Sequence, residues 1–383
     1  MKILLTGGGT GGHITPLLAV AHELKKSNPD CVITYIGERD GKFDHIVDGD
    51  ANIDVVKRIF AGKYRRYHGE STIKRLTDIK TLLFNFRDLV LFVIGTFQAI
   101  FLLMRQRPDV IFLKGGFVGV PIGLAAALLR IPFVTHDSDA IPGLANRIVG
   151  RWAKIHAVAQ KVDMYAYSPK NTVQVGVIVA EEFDLVDKQV QNHFKQQLNL
   201  NITDPLLVIT GGSSGAQRLN QAMVKIVPDL ISDFNNLNII HQAGHGKTDI
   251  YGEYSSPRLK VIDFMKPMHQ FTGAADIIVA RSSANTLAEL GVQGKATIAV
   301  ANPLLTDGHQ IKNAEELAKL DAVISVNENS KETDQVQLNL AIRELLSDPV
   351  KREKVAANLH ENTIQGAAKV LAKILMEQSK VGH

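Results

Sequence analysis

The sequence predicts an α/β protein of two Rossmann-like domains, each built on a parallel sheet. Three observations carry this. The phrase ILLTGGGTGG at residues 3–12 has a counterpart, LVITGGSSGA, at residues 207–216, and each is an apolar strand running through a threonine into a glycine-rich turn. Both halves of the chain alternate short apolar strands with helix-length segments, which implies βαβ units with right-handed crossovers and helices on both sheet faces. The 383 residues, 45% hydrophobic and 21% charged, are enough for two ordinary cores. A net charge of only +4 argues against a bulk polyelectrolyte role.

The first half offers strands at Lys2–Thr6, Cys31–Ile36, Ile53–Lys57, Val110–Leu113, Phe133–Thr135 and Ile155–Ala159. The helix after the first strand has start signals in Thr15, as N-cap, and Pro16, at the first helical position. The second half offers strands at Leu206–Thr210, Leu237–His241, Leu259–Ile262, Ile277–Val279 and Ala296–Ala299. Tyrosines, Ser168-Pro169 and an acidic stretch place the linker near 165–185, and the tail from about 351 reads as one or two amphipathic helices. The single cysteine, Cys31, excludes an intrachain disulfide framework and reads as a buried thiol at a strand start. Met1-Lys2 leads straight into the first strand, so no signal peptide is expected and the chain reads as cytoplasmic.

The glycine turns are where chemistry is expected. A strand entering glycines and then a helix gathers unpaired N–H groups at an electropositive helix end, which suits phosphate. Gly7 to Gly12 also fit the loose dinucleotide pattern, with Glu38 as the ribose acid, but the loop closes on His13 where a dinucleotide fold wants close packing. The helix field disfavours imidazolium and keeps His13 available as a neutral base; the plainer alternative is a loop histidine that caps backbone groups. The second turn, Gly211 to Gly215 with Ser213 and Ser214, suits a diphosphate, or is simply a tight βα turn. In Arg281-Ser282-Ser283-Ala284-Asn285-Thr286-Leu287-Ala288-Glu289, small polar residues open a helix and Glu289 could accept two ribose hydroxyls; an ordinary capped helix has the same look. Asp307-Gly308-His309-Gln310 puts further polar groups at a carboxyl edge, where open sheets bind ligands. In Thr135-His136-Asp137-Ser138-Asp139, neighbouring strand residues point to opposite faces, so sugar-hydroxyl recognition by Asp137 and Asp139 is favoured over metal binding.

Leu89–Met104 is apolar except for Thr96 and Gln98. It falls short of the about 20 residues of a membrane span, and Val110–Leu113 follows as a core strand, so it reads as a buried crossover helix. The alternative is a helix partly exposed at an anionic membrane surface, because Lys57, Arg58, Lys63, Arg65, Arg66, Lys74 and Arg75, with Tyr64 and Tyr67, precede it. No nucleic-acid module accompanies these charges, and no nucleic-acid partner is expected.

Taken in order, GGGTGGH, THxxxAIPGLANR, GGSxGAxxLN, RSxAxTLxEL and a D-x-x-Q loop resemble the MurG family of glycosyltransferases, over residues 1 to at least 320. The resemblance implies a GT-B fold whose two Rossmann-like domains face a central cleft. It implies residues 1–168 as the acceptor and membrane-facing domain, 169–350 as the UDP-sugar domain, and 351–383 as helices packing back on the first. The implied activity is inverting transfer of GlcNAc from UDP-GlcNAc to the C4 hydroxyl of MurNAc-pentapeptide on undecaprenyl diphosphate, lipid I to lipid II of peptidoglycan synthesis. No cofactor or metal is implied, and the site would be the cytoplasmic face of the cell membrane, peripherally bound. By matching position, Thr10, Gly11 and Gly12 would lie near phosphates and His13 would be the base. Ser213 would meet the donor diphosphate and Met265 the uracil. Ala284, Asn285, Thr286, Leu287, Ala288 and Glu289 would line the nucleotide, with His309 and Gln310 near the donor sugar. The sequence departs from the family at Asp137-Ser138-Asp139 (usually Glu-Gln-Asn), Ala180 (an arginine), Ser214 (glutamine) and Gly308-His309 (Arg-Gln). Those departures leave open a related transferase with another lipid acceptor or UDP-sugar, and a non-catalytic UDP-sugar-binding scaffold. A nicotinamide oxidoreductase using the first turn is disfavoured by the second turn and Glu289.

Overall fold

The computed structural model describes residues 1–8, 11–41, 46–63, 79–212, 215–303, 308–328 and 333–381. The chain divides into two units, Met1–Ala180 together with Gln365–His383, and Glu181–Ile364.

The first unit runs β1 (Lys2–Thr6), α1 (Gly11–Ser27), β2 (Val32–Glu38), β3 (Val55–Ile59), α2 (Ile79–Gln106), β4 (Val110–Leu113), α3 (Gly119–Leu129), β5 (Phe133–Asp137), α4 (Leu144–Val149), β6 (Ile155–Val158) and β7 (Thr172–Gln174). The strands form one parallel sheet in the order β3-β2-β1-β4-β5-β6-β7. Strand alternation sends Ile3 and Leu5, with Tyr35 and Phe112, into one core and Leu4, with Ile36 and Ile111, into the other. A sheet apolar on both faces must be covered on both, which is why these strands are continuous apolar runs.

The second unit runs α5 (Lys188–Gln197), β8 (Leu206–Thr210), α6 (Gln217–Asp233), β9 (Asn238–Gln242), β10 (Leu259–Ile262), α7 (Met268–Ala274), β11 (Ile277–Arg281), α8 (Ala284–Val292), β12 (Ala296–Ala301), α9 (His309–Ala318), β13 (Ile324–Asn327), α10 (Gln335–Ser347) and α11 (Pro349–Glu361). Its parallel sheet has the order β10-β9-β8-β11-β12-β13. Strand order therefore reverses between β1 and β4 in one unit and between β8 and β11 in the other, and each glycine turn sits at such a point.

Several expectations are corrected. Helix α1 begins at Gly11, so Thr15 is not its N-cap; Thr15 Oγ1 donates to the Gly11 carbonyl at 2.7 Å, and Pro16 lies inside the helix. Tyr165 and Tyr167 do not belong to a linker. Tyr167 stacks on His156 at 3.8 Å between ring centroids, and β7 pairs with β6, so the first unit continues to Ala180. The tail splits: α11 belongs to the second unit, whereas α12 (Ala367–Val381) packs on α1 in the first, burying Leu371 and Leu375 among Leu17, Val20 and Leu24.

Helix α2 is not a buried crossover helix. Among the described side chains of α2, the buried ones are a stripe of Asp88, Gly95, Ala99 and Leu103, while Phe86, Leu89, Val93, Phe97, Phe101 and Met104 face outward, Phe97 69% exposed. A Cβ on Gly95 would strike the Phe60 carbonyl, and one on Gly62 the Asp88 carbonyl. The helix thus touches the exit of β3 backbone to backbone along one edge, and that edge is too narrow to cover an all-round apolar helix. Phe84–Gln106 is long and apolar enough to cross a membrane, yet Ala99 and Leu103 are committed to the core against β4 and α3.

Candidate functional site

In the first unit the site is built where β1 and β4 diverge. The Tyr35 hydroxyl donates to the Gly7 carbonyl at 3.0 Å and pins the turn. A Cβ on Gly7 would come within 2.9 Å of the His13 carbonyl, so only glycine lets the strand end lie against the first turn of α1. His13 is the third residue of α1 and is half-buried. Its Nδ1 lies 3.0 Å from the Gly8 carbonyl. A carbonyl only accepts, so Nδ1 carries the proton and the lone pair of the neutral ring is on Nε2. Burial and the charge of Lys114 lower the His13 pKa to about 4, so the imidazole is neutral at pH 7.

Asp137 holds the following loop together. Its Oδ1 accepts from Gly143 N–H at 3.1 Å and from Asn146 Nδ2 at 2.9 Å, and its Oδ2 accepts from the Tyr167 hydroxyl at 2.9 Å. The carboxylate is thereby turned towards the Pro142-Gly143-Leu144 turn, and burial raises its pKa. Asp139 is half-buried, and its charge acts on both His13 and Lys114. Asn146 is 2% exposed and anchored through its Nδ2, and its Oδ1 has no hydrogen-bond partner. A Cβ on Gly115 would lie 3.9 Å from both that oxygen and His13 Nε2, so Gly115 keeps open a space edged by two acceptors. Gly11 and Gly12 open α1, while Thr10 lies outside the described residues.

In the second unit Gly212 and Gly215 adopt φ of 78° and 70°, which favours glycine. Ser213 and Ser214 lie outside the described residues, as does Asp307. Gln242, at the end of β9, ties two parts of this edge together: its Nε2 donates to the Gly212 carbonyl at 2.8 Å and its Oε1 accepts from Met265 N–H at 3.1 Å. The Met265 amide proton is thus already engaged. After β11, Ser283 caps α8, its Oγ accepting from Thr286 N–H at 3.3 Å and donating to Thr286 Oγ1 at 2.9 Å. Ala284, Leu287 and Ala288 are buried and pack the helix down; Asn285, Thr286 and Glu289 are half-buried. Burial, with the charge of Glu182, raises the Glu289 pKa to about 8. His309 opens α9, and Gln310 accepts from Asn302 N–H at 3.1 Å, bracing the end of β12.

Four residues that hold these edges were not singled out from the sequence: Lys114, Asn146, Gln242 and Glu328. Lys114 had a visible signal, a cation continuing an apolar strand into Gly115-Gly116. Glu328 had none. Its side chain is fully buried, and Arg281 Nη1 reaches it at 2.6 Å, fixing the start of the Arg281–Glu289 motif.

The family model described as glycosyltransferase family 28 N-terminal domain matches residues 3–158, and that described as the family 28 C-terminal domain matches residues 206–371. A UDP-N-acetylglucosamine--N-acetylmuramyl-(pentapeptide) pyrophosphoryl-undecaprenol N-acetylglucosamine transferase of Natranaerobius thermophilus is 32% identical over 88% of this chain and 89% of its own length. The transferase of that name from Lachnospira eligens is 31% identical over 99% of both chains. Among solved structures, MurG of Acinetobacter baumannii superposes with a TM-score of 0.70 at 23% identity over 98% of this chain and 99% of that one. The UDP-GlcNAc 2-epimerase of Neisseria meningitidis superposes at 0.64 with 12% identity over 98% and 100%. Both structural likenesses speak to the shared two-domain fold.

Proposed function

This chain belongs to glycosyltransferase family 28, among its MurG-type transferases, and on that premise we propose that it moves GlcNAc from UDP-GlcNAc to the C4 hydroxyl of MurNAc-pentapeptide on undecaprenyl diphosphate, converting lipid I to lipid II. The observation that carries the reading is His13. It is a neutral imidazole at the β1–β4 switch point, with its lone pair on Nε2 beside the space above Gly115.

In this reading Nε2 takes the proton of the C4 hydroxyl as that oxygen attacks the anomeric carbon of GlcNAc. The bond from that carbon to the UDP oxygen breaks, UDP leaves with the electron pair, and attack from the opposite face inverts the configuration. His13 then carries the proton and releases it to solvent. Asp139, with Asn146, receives acceptor-sugar hydroxyls, and Thr10, Gly11 and Gly12 lie near phosphate. Glu289 accepts hydrogen bonds from the ribose hydroxyls, Ser213 donates to the diphosphate, and Met265 adjoins the base. Ala284 to Ala288 line the nucleotide, and His309 and Gln310 approach the donor sugar. The outward apolar face of α2, following the basic segment from Lys57 to Arg75, docks the chain peripherally on the anionic cytoplasmic leaflet that carries the acceptor.

The test is incubation of the full chain with labelled UDP-GlcNAc and a short-chain lipid I analogue, with diacylglycerol as a parallel acceptor. A β-linked disaccharide on the lipid I analogue is expected. Label appearing only on diacylglycerol would reassign the acceptor. UDP binding without transfer to either would refute the catalytic reading.

A further inference from the structure

Strands β8, β9 and β10 lie side by side in the second sheet, β9 in the middle, and being parallel they end at one edge. The glycine turn follows β8, and the segment holding Met265 follows β10. Strands β8 and β10 stand about 10 Å apart across β9, which no backbone hydrogen bond bridges. Gln242 is the last residue of β9, in register with Thr210 of β8 and Ile262 of β10. Its side chain reaches both ways: Nε2 donates to the Gly212 carbonyl at 2.8 Å and Oε1 accepts from Met265 N–H at 3.1 Å. The partners fix the orientation of the amide, since a carbonyl only accepts and a backbone N–H only donates. Gln242 and Met265 are each 1% exposed. The Gly212 carbonyl also accepts from Gly215 N–H at 3.0 Å, and Gly212 N–H donates to Thr210 Oγ1 at 3.1 Å, so Gln242 holds the turn at its most bonded residue. A Cβ on Gly215 would come 2.5 Å from the Ala243 carbonyl, so the turn also lies against the exit of β9. A buried amide is a poorer packing element than a methionine of similar length unless both its groups are bonded. Here both are, and the two bonds join segments that no ladder joins.

We propose that Gln242 is a positioning residue for the nucleotide donor, setting the spacing between the turn that takes the diphosphate and the segment that takes the uracil. The inference rests on the reading of these two segments as a UDP site. Gln242 acts through Gly212 and Met265 rather than on the donor itself. A ligand with one end needs one segment and can take it wherever it stands. UDP needs both at once, at the separation its ribose allows, and ordering that separation on binding lowers affinity. A side chain that presets the separation therefore favours the whole nucleotide over its parts.

The test titrates the full chain calorimetrically with uridine and with UDP, at one pH so that Glu289 is in the same state throughout. Gln242→Met keeps the length and removes both hydrogen bonds; Gln242→Asn keeps the amide but is one methylene too short to reach both partners. In each variant UDP should weaken about 10-fold while uridine changes less than about 3-fold. KM for UDP-GlcNAc should rise about as much as UDP binding weakens, with kcat within about 3-fold of wild type. A glutamine that only supports the fold would weaken both ligands alike or neither, so an unmoved preference for UDP over uridine in folded variants overturns the proposal. A fall in kcat at unchanged KM overturns it too. Should neither variant fold, the wild type decides: saturating inorganic phosphate must tighten uridine about 3-fold, because ligands on two segments held by one side chain are coupled, and an unchanged uridine affinity overturns the proposal. A wild-type chain that binds neither uridine nor UDP refutes the nucleotide reading and the proposal with it. A chain that shows the shifted preference in the variants but transfers nothing places the failure in the transferase reading alone.

Discussion

Replacing Glu289 by glutamine keeps the shape of the side chain and removes its ionisation. In the folded chain this carboxyl has a pKa raised from 4.5 to about 8 by burial and by Glu182. A folded value above the unfolded one means that the group's contribution to stability is complete below the unfolded pKa. That contribution is lost as pH rises through the folded pKa. The full shift corresponds to about 3 kcal/mol at pH 7 and under about 1 kcal/mol at pH 5; water around a half-buried carboxyl reduces the neutral-pH figure to about 1–2 kcal/mol. Glu289→Gln should therefore stabilise the second unit at pH 7 by roughly 2–6 °C in Tm for a unit of this size, with little change at pH 5. Above pH 8, where Glu289 is the carboxylate, the same substitution should weaken uridine binding about 10- to 150-fold, because a hydrogen bond to a charged group is worth about 1.5–3 kcal/mol, and the loss should shrink as pH falls. Wild-type affinity for uridine should rise with pH towards 8, since bound ribose hydroxyls favour the carboxylate. Thermal unfolding at both pH values, with calorimetric titration of uridine, reads each effect. A Tm difference that does not depend on pH would refute the raised pKa. A tighter-binding or equally binding Glu289→Gln would remove Glu289 from the nucleotide site.

His13→Ala should lose about 10²–10⁴ in transfer rate while keeping UDP affinity; near-normal turnover, with collapse in Asp139→Asn, would move the base to Asp139. In the wild type at saturating UDP-GlcNAc, kcat should persist as pH falls below 6.5 and fail towards the His13 value of about 4, as a pH–rate profile would show. Phe97→Ser with Phe101→Ser should release the chain from anionic vesicles, each phenylalanine being worth about 1.5–3 kcal/mol if buried, with turnover on a detergent-soluble acceptor retained; unchanged sedimentation with vesicles would exclude α2 as the docking face. Asp276→Asn should destabilise the second unit by about 3–5 kcal/mol, because Lys195 Nζ sits 2.7 Å from Asp276 with its side chain 2% exposed. Denaturant unfolding checks this, and a midpoint equal to wild type would refute it.

The sheets were legible because parallel strands covered on both faces must be apolar throughout, and a glycine turn must follow wherever a strand end lies against a helix start. That is why β1, β4 and β8 fall where the sequence puts them. The site motifs were legible as far as each is local: Gly7 to His13, and Ser283 to Glu289 with its Ser283 cap. Strands β7 and β13 were not foreseen, since short edge strands carry little periodicity and are defined by the neighbour they pair with. The outward face of α2 is equally a tertiary fact, because composition cannot say whether an apolar helix has a partner on every side. The charge states at the site belong to the same class. His13 is neutral on its own helix argument, but Lys114 more than a hundred residues away tightens that neutrality, and the tautomer comes from the Gly8 carbonyl. Local sequence determined which groups each turn presents; only the folded chain decided which of them are buried, which are already hydrogen-bonded, and which face one another, because desolvation and Coulomb interactions depend on distance in space and not along the chain.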